Sequence, residues 1–403
     1  MKRKSLYTIF FVALVFSLFL STVSFSLGIN IYRPFQNLTK NDDFDWLNLA
    51  FPQIIYDTLF PNYDVEFSSS VKDVNISGRF SSIKGGIVLT VDIIRKNGSN
   101  DTSSLIIGNP HAPLSIRNAL SNFIMAKLHL KAVELPVYPE DALMAYYRGV
   151  YYKYIGEETY KNSSYPSQAP WKIAINYLRE AVKVAPNFKE AYRELALAFK
   201  ETKWYSEEVR AWSFYVNLAN DYEKKKVAKF ISTAYFNLAY SFYEKGRKDV
   251  AISYLQESTS YNPKNIKAHY WLARTYYDLG KLKEAENEWN IVISLNANYK
   301  SAKYFKEKVE KALKYGKEAY DYFEKGYLAY KRGDIDLAID YMNKAMELNY
   351  KFMDTYYWLG RIEIERGNYK GALNYLKQGL EVDPNDKKIL YLIKVAKRKL
   401  NKK

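Results

Sequence analysis

Four glycines, Gly246, Gly280, Gly333 and Gly367, stand at equivalent places in a recurring pattern, separated by steps of 34, 53 and 34 residues. A fixed period of this size restricts a chain to stacking one supersecondary unit, because each unit leaves an apolar face that only a neighbour can cover. Stacks of this kind make surfaces more readily than reaction centres. Around the glycines the pattern reads as two short helices and a tight turn. Tyr270-Trp-Leu-Ala-Arg-Thr-Tyr-Tyr-Asp-Leu-Gly280 is followed by Glu284, Ala285 and Trp289. Tyr356-Tyr-Trp-Leu-Gly-Arg-Ile-Glu-Ile-Glu-Arg-Gly367 is followed by Ala372, Leu376 and Asp383-Pro384.

This register resembles the tetratricopeptide repeat (TPR) family, in which a large residue, Leu-Gly or Leu-Ala, an aromatic, a small Ala and a terminal Pro recur in order. The small residue that opens each second helix runs Ala174, Glu208, Ala251, Ala285, Ala338, Ala372, with Glu208 marking a degenerate copy. The terminal position runs Pro186, Asn220, Pro263, Ala297, Tyr350, Pro384. Six repeats are therefore expected from about Asp141 to Pro384, each needing a small side chain where two helices approach closely. Repeat one carries a Ser-, Pro- and Tyr-rich insertion around residues 156–169, read as an exposed loop. Glu223 to Lys226 reads as a helix extended into solvent. The extra stretch from Tyr299 to Lys317 aligns with the carboxyl terminus at one constant offset, Tyr304 with Tyr391 and Leu313 with Leu400. Both stretches read as capping helices over the last apolar face. A slight break is expected near residue 315, dividing residues 141–317, with repeats one to four, from 318–403, with repeats five and six. Lys325 and Glu363 stand where the family usually has apolar residues.

The chain has 403 residues, 39 of them Tyr, and no Cys, which removes disulfides, thiolate metal sites and a Cys nucleophile. Its formal charge of +16 includes a final stretch, Lys387 to Lys403, with eight basic residues and no acid. That stretch reads as a solvated face on a capping helix whose cations suit the helix dipole. The alternative is contact with an anionic membrane surface or another polyanion. At the other end, Met1-Lys-Arg-Lys4 precedes the apolar run Leu6 to Leu20, and Ser24-Phe-Ser26 offers a cleavage site. Residues 1–26 thus have the parts of a signal peptide, or of an uncleaved anchor in the inner membrane. Either reading places the body of the chain outside the cytoplasm, periplasmic or secreted.

Residues 27–135 follow another period. Ile29 to Arg33 reads as a strand. Leu47, Ala50, Phe51, Ile54, Ile55 and Thr58 fall on one helix face, entered from Asp42, Asp43 and Asp45, with Pro52 disturbing the helix or marking its first turn. Strands are expected at residues 64–68, 74–80, 87–95 and 104–107, with turns at Gly85-Gly86 and Asn97-Gly98. A second amphipathic helix is expected over 113–130. The fold class is therefore mixed: a small α+β amino-terminal domain followed by an all-α TPR superhelix. Ile31-Tyr-Arg-Pro-Phe-Gln-Asn-Leu-Thr39, with Asp45-Trp-Leu47, resembles the openings of TolB amino-terminal, FlgO and CsgG-like domains. That resemblance implies a role in bacterial envelope assembly or partner docking, and no chemistry.

Catalytic signatures are lacking. His111, His129 and His269 lie on different elements. There is no HExxH, no phosphate-binding Gly-Lys-Ser loop and no Gly-x-Ser-x-Gly elbow. No enzyme activity, cofactor, metal, nucleic acid or small-molecule substrate is expected. The Asp42, Asp43, Asp45 cluster could hold a hard cation, but helix capping explains it more simply. Asn-x-Ser/Thr sequons occur at Asn37, Asn75, Asn97, Asn100 and Asn162, read as turn chemistry. The TPR resemblance implies a concave groove lined by one face of each first helix. Carried onto this register, the face comprises Tyr146 and Arg193 in repeats one and two. It continues with Phe236, Tyr240 and Tyr243 in repeat three, then Tyr270, Arg274 and Tyr277 in repeat four. Tyr320, Phe323, Tyr327 and Tyr330 follow, then Tyr357 and Arg361. Tyr and Arg bury much area while keeping a polar tip, which suits a protein or peptide partner with acidic groups. The alternative is that these rings simply pack between helices.

Overall fold

The computed structural model describes residues 27–68, 70–162 and 167–401, so the expected signal or anchor segment lies outside the described residues. The described residues form two compact units, 27–234 and 235–401.

In the first unit, strand β1 (Gly28–Ile31) runs parallel to β3 (Asp64–Glu66) and to β4 (Val74–Ile83). From β4 the sheet continues antiparallel through β5 (Gly86–Arg95) and β6 (Asn100–Ile107), while β2 (Gln36–Asn37) adds to β4. Alternation fixes the faces: Ile87, Leu89, Val91 and Ile93 of β5 are all buried, while the intervening residues are not. On the polar face Arg79 pairs with Asp92 at 2.7 Å. Helices α1 (Leu47–Leu59) and α2 (Pro113–Lys127) cover the apolar face.

Pro52 sits inside α1 rather than at its start. It has no N–H to offer the carbonyl of Asn48 one turn back, and the backbone N–H of Phe35 takes that acceptor at 2.8 Å. The Phe35 ring then lies against Gly78, where an added Cβ would come within 2.4 Å of it. A residue that reads as a helix breaker thus ties the helix to the β1–β2 connection.

The repeats follow as helix pairs. In the first unit they are α3 (Glu140–Asn162) with α4 (Ala169–Val184), and α5 (Lys189–Glu201) with α6 (Tyr205–Leu218). Helix α7 (Asp221–Glu244) pairs with α8 (Lys248–Tyr261), and α9 (Ile266–Asp278) pairs with α10 (Leu282–Leu295). Helix α11 (Lys300–Tyr315) precedes α12 (Lys317–Arg332), α13 (Ile335–Leu348), α14 (Met353–Glu365), α15 (Tyr369–Val382) and α16 (Lys387–Leu400). Ala174, Ala251, Ala285, Ala338 and Ala372 are completely buried, as the close approach of helices requires. The four periodic glycines have φ between 75° and 88°, the left-handed region that ends a helix without strain. Both extra helices cap: α11 covers Trp289 with Phe305, and α16 buries Ile389, Leu392 and Ile393 against α14 and α15.

The line near residue 315 corresponds to Gly316, at φ 91°, but α11 and α12 on either side share a core through Ala312 and Ala319. The division between the units instead falls within α7, where the periodic pattern gives no sign of it. The region 27–135 also does not close on itself, since α1 is buried around most of its circumference and its outer face meets repeats one and two.

Candidate functional site

In the first unit the expected groove residues Tyr146 and Arg193 are sealed, with 1% and 3% of their surface exposed. They do lie on first helices, α3 and α5, on the anticipated face. That face is occupied by α1. Tyr146 donates its hydroxyl to Asp57 Oδ2 at 2.7 Å, and Arg193 Nη2 donates to Asp57 Oδ1 at 2.6 Å. Gln53 Nε2 donates to both Asp57 and Tyr146. The rings of Tyr56 and Phe60 stand 4.9 and 5.0 Å from the Arg193 guanidinium, completing its desolvated setting. Farther along, Lys226 Nζ donates to the carbonyls of Phe60 and Tyr63 just past the helix end. As sites for an outside partner, Tyr146 and Arg193 are therefore corrected: the chain fills this stretch of wall with its own helix.

The network continues toward the surface. Lys153 Nζ lies 2.7 Å from Glu194 and 3.4 Å from Glu157, and Arg33 pairs with Glu157 at 2.7 Å. Burial pushes the Asp57 carboxyl up to about 6 against the opposing pull of Arg193. Burial also acts to raise Glu194, but Lys153 and Arg193 hold it down at about 2. Burial brings Lys226 down to about 8. Beside these groups lies a cavity of about 400 Å³ lined by Arg33, Phe60, Phe67, Lys153, Glu157 and Lys226.

The second unit presents a different wall. Phe236, Tyr240, Tyr243, Tyr270, Arg274, Tyr277, Tyr327, Tyr330, Tyr357 and Arg361 are all half-buried. Tyr320 and Phe323 are corrected to core: they are 6% and 8% exposed and pack around Phe352. Two tryptophans that sequence reasoning left out, Trp271 and Trp358, sit at the centre of the wall. Tyr240 and Tyr243 meet Trp271 edge-on at 4.8 and 5.0 Å, and the Arg274 guanidinium stacks over that indole at 4.9 Å. Tyr327 and Tyr330 meet Trp358 at 5.0 and 5.3 Å, and Arg361 stacks over it at 4.9 Å. Tyr243 donates to Asp278, and Tyr330 donates to Glu365, each at 2.8 Å. Burial first, then Asp278, pushes the Tyr243 hydroxyl up to about 12, so it stays a donor. Tyr277 donates to Asp321 at 2.8 Å, joining α9 to α12. The signal for the tryptophans was present: each follows the tyrosine that was picked, in Tyr-Trp-Leu.

Other candidates have structural partners. His269 contacts Glu288 at 2.6 Å and the Pro263 carbonyl at 3.0 Å. Asp42 and Asp43 form the first turn of a short 3-10 helix capped by Asn41, and Asp45 accepts from Asn37. Among the described residues no group of three or more His, Asp or Glu could hold a metal ion. Lys387, Lys388, Lys394, Lys397, Arg398 and Lys399 are exposed on α16, whose Ile389, Leu392 and Ile393 are buried while Leu390 and Tyr391 are exposed. Among the described residues no helix is long and apolar enough to cross a membrane.

Paired helices in a 34-residue register, with alanine at every close approach but one, define an α-helical repeat scaffold. Residues 329–394 match the tetratricopeptide repeat family, and 225–288 match the family described as anaphase-promoting complex, cyclosome, subunit 3. Among solved structures, the MamA protein shares 20% identity over 50% of this chain and 91% of its own, with a TM-score of 0.29. A tetratricopeptide repeat protein from Parabacteroides merdae shares 15% identity over 61% of this chain and 98% of its own, with a TM-score of 0.29. YrrB, described as a TPR protein with an unusual peptide-binding site, shares 13% identity over 60% of this chain and 97% of its own, with a TM-score of 0.24. No curated protein sequence matches the chain. Proteins built from these repeats are generally non-catalytic interaction scaffolds.

Proposed function

We propose that this chain is a non-enzymatic, extracytoplasmic scaffold of the cell envelope that binds a protein or peptide partner on the first-helix wall of repeats three to six. The observation that carries this reading is the row of half-exposed Tyr, Trp and Arg side chains in the second unit. These residue types dominate binding hot spots because their rings are stiff, large and polar at one end. Arg274 adds specificity, since among the described residues it stacks on Trp271 and Phe305 without a carboxylate partner. The basic leader and apolar run of residues 1–26 support the address. Capture of a purified envelope partner by the full chain, repeated with Tyr270, Arg274 and Tyr277 changed to Ala, tests the wall. Undiminished capture removes it from the mechanism. Mass spectrometry of the mature amino terminus tests the address, with a start at Leu27 expected for a cleaved leader. A second reading takes the six exposed cations of α16, beside the exposed Leu390 and Tyr391, as a contact for an anionic lipid surface.

A further inference from the structure

The Tyr-Tyr-Trp-Arg-acid arrangement of the second unit occurs twice with one constant spacing. Tyr240, Tyr243, Trp271, Arg274 and Asp278 each stand 87 residues before Tyr327, Tyr330, Trp358, Arg361 and Glu365. The contacts agree as well as the sequence: both arginines lie 4.9 Å over their indoles, and both acids accept a tyrosine hydroxyl at 2.8 Å. Each half carries the same set of two helix pairs and a capping helix, so the two boxes are products of one repeated design. The boxes differ in how acid and arginine are paired: Lys248 Nζ lies 2.8 Å from Asp278, and its counterpart 87 residues on is Ile335. Arg361 pairs with Glu365 at 3.0 Å, whereas Arg274 has no carboxylate partner among the described residues.

What such a wall accepts is displayed by the chain itself. In the first unit an arginine on the equivalent helix face, Arg193, is met by Asp57 although it also pairs with Glu194 of its own helix at 2.9 Å, as Arg361 does with Glu365; Asp57 is flanked in sequence by Tyr56 and, three residues on, Phe60. An acid that satisfies the guanidinium, with aromatic neighbours that cover it, is therefore a ligand pattern these repeats demonstrably hold. Resting on the groove-binding reading above, we propose that the second unit binds one partner segment carrying two acid-plus-aromatic motifs, one for each box. Helices α9, α12 and α14 follow one another through the Tyr277–Asp321 and Tyr327–Trp358 contacts. Two helix-to-helix steps of about 8–10 Å separate the boxes, a span that about six extended residues would bridge.

The test uses the full chain and two synthetic peptides. One reproduces Gln53 to Phe60 once, and the other carries it twice, joined by eight Gly and Ser residues. Titration calorimetry is expected to find the double peptide bound about 100-fold more tightly than the single one, through effective concentration. Arg274→Gln and Arg361→Gln should each reduce the double peptide to within about threefold of single-copy affinity. Peptides with Asn in place of Asp should not bind. These arginine variants disturb no buried group, so folding is not at stake. A double peptide no tighter than the single one, or indifference to Arg361→Gln, overturns the two-box arrangement. If the single peptide is still lost in Arg274→Gln, groove binding itself survives. Binding that ignores both variants overturns both readings. Dimerisation of the chain that responds to Arg274→Gln in sedimentation would identify a second copy as the occupant and overturn the proposal.

Discussion

The same helix face has opposite fates in the two units. In repeats one and two it is covered by α1, and its arginine is 3% exposed, held by Asp57 at 2.6 Å. In repeats three to six it stays half-open, and among the described residues Arg274 rests on aromatic rings without a carboxylate partner. The lesson concerns what a repeat register can specify. It fixes which residues point toward the inner wall, and leaves open whether that wall meets another molecule or another part of the same chain.

The sharpest way to break this contrast is to delete the two arginines in turn. Arg193→Ala would leave Asp57 and Glu194 buried around a lost cation, and breaking a buried pair from one side costs about 3–5 kcal/mol. Arg274→Ala loses only stacking at a half-exposed surface, worth about 0.5–1 kcal/mol. Guanidinium denaturation of the two variants should separate them by several-fold in stability loss. Hydrogen exchange should place the first loss in residues 27–234. Equal losses would mean that the first-unit network is as dispensable as the open wall.

A pH series sharpens the same comparison. Glu208 occupies the position held by alanine in the other repeats and is 1% exposed. Burial pushes it up to about 8, with Lys200 and Trp212 opposing. The folded chain therefore binds a proton that the unfolded chain releases near the ordinary value of 4.5. Stability from this group is present in full below about pH 4.5 and falls as pH rises through about 8. Glu208→Gln should remove that fall, gaining on the order of 2–4 kcal/mol at pH 9 and little at pH 4. A constant difference across this range would show that the carboxyl is not held in its neutral form. No counterpart exists in the second unit, where Ala251, Ala285, Ala338 and Ala372 fill the position.

Much of this was legible in the sequence because it is local or periodic. The helix pairs, both capping helices and the turns at Gly246, Gly280, Gly333 and Gly367 follow from spacing and backbone freedom. The Asp57–Arg193 pair was not legible, since its partners are 136 residues apart and no period links them. A weaker sign was available. Gln53 and Asp57 stand on a helix whose other positions are largely apolar, and a polar pair in such a setting needs partners. Trp271 and Trp358 were passed over because the family register draws attention to the neighbouring tyrosines. Comparing the two halves at their 87-residue offset recovers both tryptophans.

At the wall itself, Trp271→Phe keeps a ring but shortens the platform under Arg274. Partner affinity should fall about 5–30-fold, a loss of about 1–2 kcal/mol typical of an interface residue of moderate weight. Thermal stability should stay within about 1 kcal/mol, because a large aromatic still fills the site. An unchanged affinity would mean that the indole supports the helix stack and leaves recognition to other residues.

The smallest effect is expected at the carboxyl-terminal cap. Ile389, Leu392 and Ile393 do the covering, so the exposed cations of α16 contribute chiefly through the helix dipole near Lys397, Arg398 and Lys399. Changing these three to Gln should cost about 0.3–1 kcal/mol at low salt and less at high salt. The same variant addresses the lipid reading, because each cation near an anionic surface contributes about 1 kcal/mol. On vesicles containing phosphatidylserine, adhesion through α16 would fall by two orders of magnitude or so in the variant, about 3 kcal/mol in total. It would also vanish for the unaltered chain at about 1 M salt, where the screening length drops to about 3 Å. Adhesion that survives both changes would remove α16 as its cause, leaving this helix a lid on the second unit.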